Sequence, residues 1–418
     1  MLPPAPPAAV QLLELLLHQP PVRAELVPVA LGAWLAAAQR RGVRVPHPVL
    51  PALLALATRR RELREPVAAV VDARGRWLAR LDPDWAWAAT PDGADGADGA
   101  GDAEAPVDAP DPLAWGRLPT PARVATVARL RASDPDVARE LVESAWRDDP
   151  AATRLALLET LETSLGPADE ELLERALDDR ARSVRERAQQ LLDGLPGSAR
   201  AQRMADRLRP LLRTTGRVRR SLEVELPADP GPAGVRDGLG TAPRHRSRRG
   251  FHLERIAAAA PLAVWTEVTG RDAAGTWPMV RDADARRGIA AAVRAQRDLA
   301  WARAVVADVP ALLDVLPADE RERVAVSLLR PGSTYDPLAL ARVVPPPWGA
   351  DLSRLLVERL MDRKGTPDAP TLALARGLHP DVLPLLRAWE ARKHGWHDLP
   401  RDLVRHLALV TAIPEAFR

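Results

Sequence analysis

The 418-residue chain contains no cysteine, which excludes disulfides, thiolate nucleophiles, cysteine-ligated zinc and iron–sulfur clusters. Asn is absent too, Lys occurs only at Lys364 and Lys393, Ile only at Ile256, Ile289 and Ile413, and Tyr only at Tyr335. These residues have AT-rich codons, so their scarcity reads as a GC-rich genome in which Arg replaces Lys as the default surface cation. The twelve Trp are likewise expected to stand in for scarce Phe and Tyr as large core residues. No apolar run reaches the ~20 residues that span a bilayer; the longest, Leu26 to Ala38, is interrupted by Pro28 and Gly32. No membrane span is therefore expected. The stretch from Met1 to Pro7 lacks the basic start of a secretory signal, which makes the bacterial cytoplasm the expected compartment. There is no Gly-Lys-Ser/Thr, GxGxxG, GxSxG, HExxH or kinase motif set, so no catalytic residue, cofactor or metal is expected.

What is present is ample apolar material, 46% of residues, with 28% charged; this suffices for one large domain or two to three ordinary ones and rules out disorder over most of the length. The net charge of +3 hides an uneven distribution. From Asp82 to Asp111 there are nine acidic residues and no Lys or Arg, whereas Pro196 to Arg255 carries fourteen Arg against six acids, a local +8. Such regions give a dipolar surface or neutralise each other.

The periodicity is helical almost throughout. Leu12, Leu13, Leu16 and Leu17 form a stripe that ends at Pro20 and Pro21. Leu26 to Arg41 reads as a helix closed by Gly42, and Pro48 to Arg61 as another with Leu50, Leu53, Leu54 and Ala57 inward. Ala89 to Asp111 is low complexity with an Asp-Gly-Ala repeat, expected to be flexible; it lacks the alternating carboxylates and distal Glu of a calcium loop. Between Pro119 and Leu212 the pattern becomes paired helices. The stretch Asp178 to Ala188, continuing through Leu195, looks like a HEAT repeat, in which a turn Asp accepts amide hydrogens at the start of the second helix. Val137 and Val184 lie 47 residues apart, at the long end of that repeat's period. Ser221 to Leu226 alternates as a short strand, and Ala228 to Gly250 reads as a long loop. Helices then resume, one of them running from Ala283 to Asp308.

The expected fold is all-α: a HEAT-like α-solenoid of short helical pairs with one short β-like excursion and an acidic low-complexity loop. Its expected regions are an N-terminal helical region (1–88), an acidic flexible loop (89–112), a HEAT-like region (113–226), a basic loop or linker (227–250) and a C-terminal helical region (251–418).

Three constellations bear on chemistry. Lys393 to Asp398, with Asp402 and His406, has His spacing that suits a metal, but Gly395 and Pro400 imply a turn, and an exposed His pair is the ordinary alternative. Glu170, Glu171, Glu174, Asp178 and Asp179 read as a solvated face rather than an acid/base dyad. Arg200, Arg203 and Arg207 fall on one helix face opposite Met204, Leu208 and Leu211, and are followed by Arg217, Arg219, Arg220, Arg244, His245, Arg246, Arg248 and Arg249. Clustered guanidiniums of this kind track phosphates; the alternative is a solvated helix face plus a basic loop that meets the chain's own acids or a partner.

Trp77, Trp85 and Trp87 cluster in the segment from Gly75 to Trp87, where buried indoles would be core and exposed ones a partner's anchor. The segment Gly75 to Trp85, with Trp77, Leu78, Asp82 and Pro83, preceded by Trp34 and by Arg40 to Pro46, resembles an uncharacterised bacterial family of helical, HEAT-like proteins. Members are often encoded beside SWIM zinc-finger proteins, MoxR-type AAA ATPases and von Willebrand factor A domain proteins. The resemblance extends more loosely through Asp169 to Met204, Leu222 to Leu226 and Phe251 to Trp265. It departs at Asp82, where Asn is expected, and at the proline-rich start, where similar proteins carry a further helical stretch, so a shortened start is expected. The resemblance supplies no catalytic residues and implies a structural role for the motif. It also implies an accessory function, a non-catalytic adaptor or scaffold for an AAA ATPase or von Willebrand factor A partner. The alternative from the residues is a nucleic-acid-binding solenoid using Arg200 to Arg249.

Overall fold

The computed structural model describes residues 3–89, 115–216, 221–330, 335–362, 371–392 and 398–418. The acidic repeat (90–111), the arginines at 217, 219 and 220, and the stretch 393–397 that carries two of the histidines lie outside the described residues. Among the described residues the chain is all-α apart from one two-stranded hairpin.

Along the chain the helices are α1 (Pro7–His18), α2 (Val27–Arg41), α3 (Leu50–Arg59), α4 (Arg64–Val70), α5 (Ala73–Ala79), α6 (Thr120–Ser133), α7 (Pro135–Ser144), α8 (Ala151–Thr160), α9 (Glu170–Ala176), α10 (Arg182–Asp193) and α11 (Ala199–Leu208). The strands β1 (Leu212–Thr215) and β2 (Ser221–Val224) follow. Then come α12 (Gly231–Arg236), α13 (Arg248–Ala259), α14 (Ala263–Thr269), α15 (Ala273–Thr276), α16 (Ala283–Gln296) and α17 (Leu299–Val305). The chain closes with α18 (Ala318–Leu328), α19 (Pro337–Val343), α20 (Ala350–Met361), α21 (Thr371–Gly377), α22 (Leu383–Ala391) and α23 (Asp398–Ala416).

Two compact units result, 1–101 with 318–418, and 102–317. This grouping differs from the linear partition expected from composition. In the first unit the last helix, α23, packs on α1 and α2, with Phe417 against the buried indole of Trp34 at 5.1 Å between ring centroids. Trp34 donates its Nε1–H to the carbonyl of Ala9 at 2.8 Å, so that its one polar atom is satisfied inside the core. Leu50, Leu53, Leu54 and Ala57 are buried on α3 as the periodicity requires, and Gly42 ends α2 at φ 63°.

The second unit is a solenoid-like stack whose period is shorter than the sequence pattern suggests. Helices α6, α8 and α10 start at residues 120, 151 and 182, 31 residues apart each time. The same step superimposes Leu130, Leu161 and Leu192, all buried, and places Arg123, Arg154 and Arg185 as the fourth residue of each helix. Val137 and Val184, 47 residues apart, are thus not equivalent: one sits on α7, the other on α10. The apolar side chains of this stack, including Leu157, Leu158, Leu172, Leu173 and Ala188, form one continuous core.

A second periodic feature is ionic. Arg123 is stacked over Trp115 (4.6 Å to the ring centroid) and donates to both oxygens of Asp149 at 2.5 and 2.7 Å. One repeat on, Arg154 lies over Trp146 at 5.8 Å and holds Asp179 at 2.8 and 3.0 Å. Arg286, again the fourth residue of its helix, lies 4.0 Å from the Trp277 ring and bonds Asp308 at 3.0 Å, while Trp277 itself donates to Asp308 at 2.7 Å. The indole covers one face of each guanidinium and the carboxylate takes its edge, so the charge is held by both a cation–π contact and an ion pair. Each carboxylate lies 22 to 26 residues beyond its arginine, so the staple ties a helix to a later turn.

Arg131 is the most enclosed of these cations, 0% exposed. It donates to both oxygens of Asp169 at 2.9 and 2.8 Å and to the carbonyls of Thr163, Ser164 and Pro135. It thereby satisfies the backbone of the α8–α9 connection, which would otherwise bury unpaired carbonyls.

Two further expectations change. The stretch from Ala283 to Asp308 is two helices, because Arg297 takes a left-handed conformation (φ 52°) and Asp298 caps α17 through the Trp301 amide. The expected strand at Ser221 pairs antiparallel with β1, which helical periodicity concealed, with Leu212 opposite Val224. No described helix is long and apolar enough to cross a membrane.

Because Asp169 and Arg131 share one buried site, removing one partner strands the other. Asp169→Ala is expected to cost about 3–5 kcal/mol in urea unfolding, and Arg131→Met combined with Asp169→Leu to recover much of that loss.

Candidate functional site

The basic stretch was the strongest charged feature of the sequence, and the fold uses most of it internally. Arg200 is 1% exposed rather than on a solvated face; it bonds Asp193 at 2.6 Å and the Asp237 carbonyl at 3.0 Å. Arg203 and Arg207, one and two turns on, both donate to the Asp237 carboxylate, at 2.6 and 2.7 Å. Arg203 also reaches Glu174 at 3.0 Å, and Arg236 takes Asp178 and Glu174 at 2.7 and 3.1 Å. Thus the acids Glu174 and Asp178, expected to face solvent, clamp the C-terminal end of α12 onto α9 and α11. The stretch 227–250 is therefore not a free linker; it is docked by ion pairs and interrupted by α12.

Asp237 is buried at the centre of this cluster. Burial alone would raise its pKa, but the hydrogen bonds from Arg203 and Arg207 outweigh that and hold the carboxyl below its ordinary value. Farther on, Arg246 bonds Glu254 and Asp284 at 2.6 and 2.7 Å, Arg248 pairs with Asp229 at 3.0 Å, and Arg249 donates to the carbonyls of Leu226 and Pro227. Arg244 is exposed and makes no hydrogen bond or ion pair with the described residues.

Above this cluster lies a cleft of about 760 Å³ within the second unit. One wall is the outward face of α10, with Arg182, Arg185, Glu186 and Gln190; the other is α13, with Phe251, Glu254 and Arg255; the loop from Val235 to Pro243 closes it. Its floor holds Gln189, which the 31-residue step aligns with the buried Val127 and Leu158. A polar amide thus replaces a core aliphatic where the stack meets the cleft. Gln189 donates to the Arg236 carbonyl at 3.2 Å. Gly238 has φ 106°, and a Cβ there would stand 2.8 Å from the Gln189 Oε1 and 3.4 Å from an Arg255 Nη atom, so only glycine lets the loop close over these side chains.

The cleft's acids are already matched: Glu186 to Arg182 at 2.7 Å, and Glu254 to Arg246 and Arg287 at 2.6 and 2.8 Å. Burial works to raise the Glu254 pKa, and the hydrogen bonds from Arg246 and then Arg287 more than offset it. An ionised carboxylate held by two guanidiniums is a poor proton donor near neutral pH.

The motif residues divide. Gly75 is buried, and a Cβ on it would meet Val71 at 2.4 Å, which makes it a packing glycine. Asp82 caps the turn opened by Pro83, accepting from the Asp84 amide at 3.0 Å, a role Asn fills equally well. Leu78 and Trp85 are half-buried, and Trp87 is buried with Arg64 5.7 Å from its ring. Trp77 goes against the expected core role: it is 55% exposed, and Leu81, four residues on, is 62% exposed. Asp402 is buried and paired with Arg23 at 2.5 Å, and His406 is buried with its pKa lowered by desolvation; among the described residues no group of three or more potential ligands gathers for a metal.

The chain belongs to a family of unknown function, DUF5691, whose profile matches residues 1–417. No curated protein and no solved structure is matched.

Since Asp237 has a lowered pKa when folded, the unfolded chain binds more protons in acid, and this group's contribution to stability is present above about pH 4 and lost as pH falls through its folded value. Asp237→Asn is expected to flatten the acid limb of a stability-against-pH curve measured by urea unfolding, while lowering stability at pH 7.

Proposed function

We propose that this member of the DUF5691 family is a non-catalytic protein-binding scaffold, an adaptor that serves a MoxR-type AAA ATPase and von Willebrand factor A system. The observation that carries the reading is the exposed pair Trp77 and Leu81, one helical turn apart in the segment most specific to the family resemblance. An indole and an isobutyl group left in water lose the transfer free energy that burial would supply, roughly 1.5–3 kcal/mol for each side chain. Such residues are the usual anchors of a protein interface, where a few aromatic side chains contribute most of the affinity. A stack of helical pairs adds extended surface without any catalytic constellation.

Nucleic acid is the weaker reading because its candidate cations have internal partners. Arg200, Arg203, Arg207, Arg246 and Arg248 are paired with carboxylates and Arg249 with backbone carbonyls, which leaves Arg244 as the one unpaired member of that set among the described residues. A duplex-tracking face requires several cations free for phosphates. The choice of partner rests on the genomic setting that the resemblance implies.

The test is affinity capture of the tagged chain from its native cells after nuclease treatment. The expected outcome is recovery of an AAA ATPase or a von Willebrand factor A domain protein, with Trp77→Ala weakening the complex by about 30-fold, as for an interface anchor worth ~2 kcal/mol. Recovery of nucleic acid without such a protein, or an unchanged complex with Trp77→Ala, would contradict the proposal.

A further inference from the structure

We infer that the cleft between α10, α13 and the Val235–Pro243 loop binds a short acidic peptide segment, whose carboxylates meet Arg185 and Arg255 while an apolar side chain rests on Phe251 and Val235. The choice of a peptide rests on the scaffold reading; the anion site rests on the cleft alone.

Charge accounting in the cleft comes first. Its acids, Glu186 and Glu254, have guanidinium partners, but two of its three arginines have no carboxylate. Arg185 donates only to the carbonyls of Asp179 and Arg180, at 2.6 and 2.9 Å. Arg255 is half-buried and makes no hydrogen bond or ion pair with any described residue. Exposed arginines elsewhere in the chain also lack a carboxylate, but Arg185 and Arg255 lack one while half-buried. A partly desolvated guanidinium is stabilised by an anion, and a planar carboxylate matches its forked donors.

The surroundings select the kind of anion. Glu186 and Glu254 flank the two arginines and repel a continuous phosphate backbone, which needs an uninterrupted cationic track. Val235, 55% exposed, with Pro243 and Phe251, gives apolar contact beside the cations. Gln189 has its Nε2 engaged, and its Oε1 lies at the Gly238 wall. The volume of about 760 Å³ is within the range of small-ligand pockets and admits a few residues rather than a folded surface.

The experiment is fluorescence anisotropy of the full chain with the fluorescein-labelled peptide Asp-Glu-Leu-Phe-Asp-Glu, its Asn/Gln analogue, and a labelled thymidine oligonucleotide. The acidic peptide is expected to bind with Kd of about 10–100 μM, and the neutral analogue at least tenfold more weakly. Arg255→Gln is expected to weaken binding about tenfold or more with an unchanged melting temperature, since Arg255 holds no internal partner, and Arg255→Lys to restore part of it. Trp77→Ala leaves the peptide affinity unchanged, and Arg255→Gln leaves capture of the Trp77-dependent partner unchanged, so the two readings fail separately. Absence of binding at about 1 mM peptide, equal affinity for the neutral analogue, or an Arg255→Gln variant that binds as the parent does would overturn the inference. Tighter binding of the oligonucleotide than of the peptide would overturn it too and reassign the cleft to nucleic acid.

Discussion

The arrangement of the second unit depends on arginine being held inside a helical stack, by carboxylates and carbonyls at its edge and, at Arg123, Arg154 and Arg286, by an indole over one face. Short helices such as α9 and α14, of seven residues each, are too short to be stable alone, and the turns between them carry backbone carbonyls into the interior. Arg131 answers both problems, because one guanidinium offers five donors that reach a carboxylate and several carbonyls at once, while Arg123 and Arg154 tie their helices to later turns through Asp149 and Asp179. The cost of burying these cations is offset only where the geometry is complete, and it is complete at Arg131, whose partners include both oxygens of Asp169 and three loop carbonyls. Arginine thereby serves as an internal fastener in a chain that has no cysteine for the purpose.

The same economy bears on the proposed contacts. Eight of the eleven described arginines of the basic stretch meet an acid, so much of the local +8 of the sequence is engaged within the fold. The proposed contacts accordingly rest on Trp77 and Leu81 among the exposed apolar residues and on Arg255, which is half-buried without a partner among the described residues. Gly238 and Gln189 belong to the second case, since each departs from the local rule of its element at the wall of the cleft, and such departures gather at binding sites.

Much of the fold was legible in residue patterns. The stripes of α1 and α3 and the glycine cap of α2 follow from helical periodicity and from Gly42's tolerance of positive φ. The step of 31 residues was not seen, because only a few positions per repeat keep their chemistry: Arg at the fourth place and Leu at the eleventh. The valines at 137 and 184 matched a motif at a spacing that the stack does not use. Arg200 read as a solvated cation because periodicity reports which face a residue occupies and not whether an acid awaits it there; Asp193 lies within reach seven residues before it, but Asp237 lies 37 residues away and is brought near only by tertiary packing. Arg297 carried no signal of the left-handed turn that divides α16 from α17, although the following Asp298 is a good capping residue. Codon bias prepared Trp for core roles, and Trp34 and Trp87 fill them, whereas Trp77 shows that the bias cannot assign any single indole.

The account's central claim is that the fold engages Arg200, Arg203 and Arg207 of the basic stretch with its own acids and leaves Arg244 and Arg255 without a partner among the described residues. Phenylglyoxal footprinting of the native chain, read by mass spectrometry residue by residue, tests it directly. Within the basic stretch Arg244 and Arg255 should react before Arg203 and Arg207; Arg123, Arg131 and Arg200 should stay protected until the chain unfolds, and an acidic peptide should shield Arg255 without shielding Arg244. Modification of Arg200, Arg203 and Arg207 as fast as Arg244 would contradict the account and return the basic stretch to the surface.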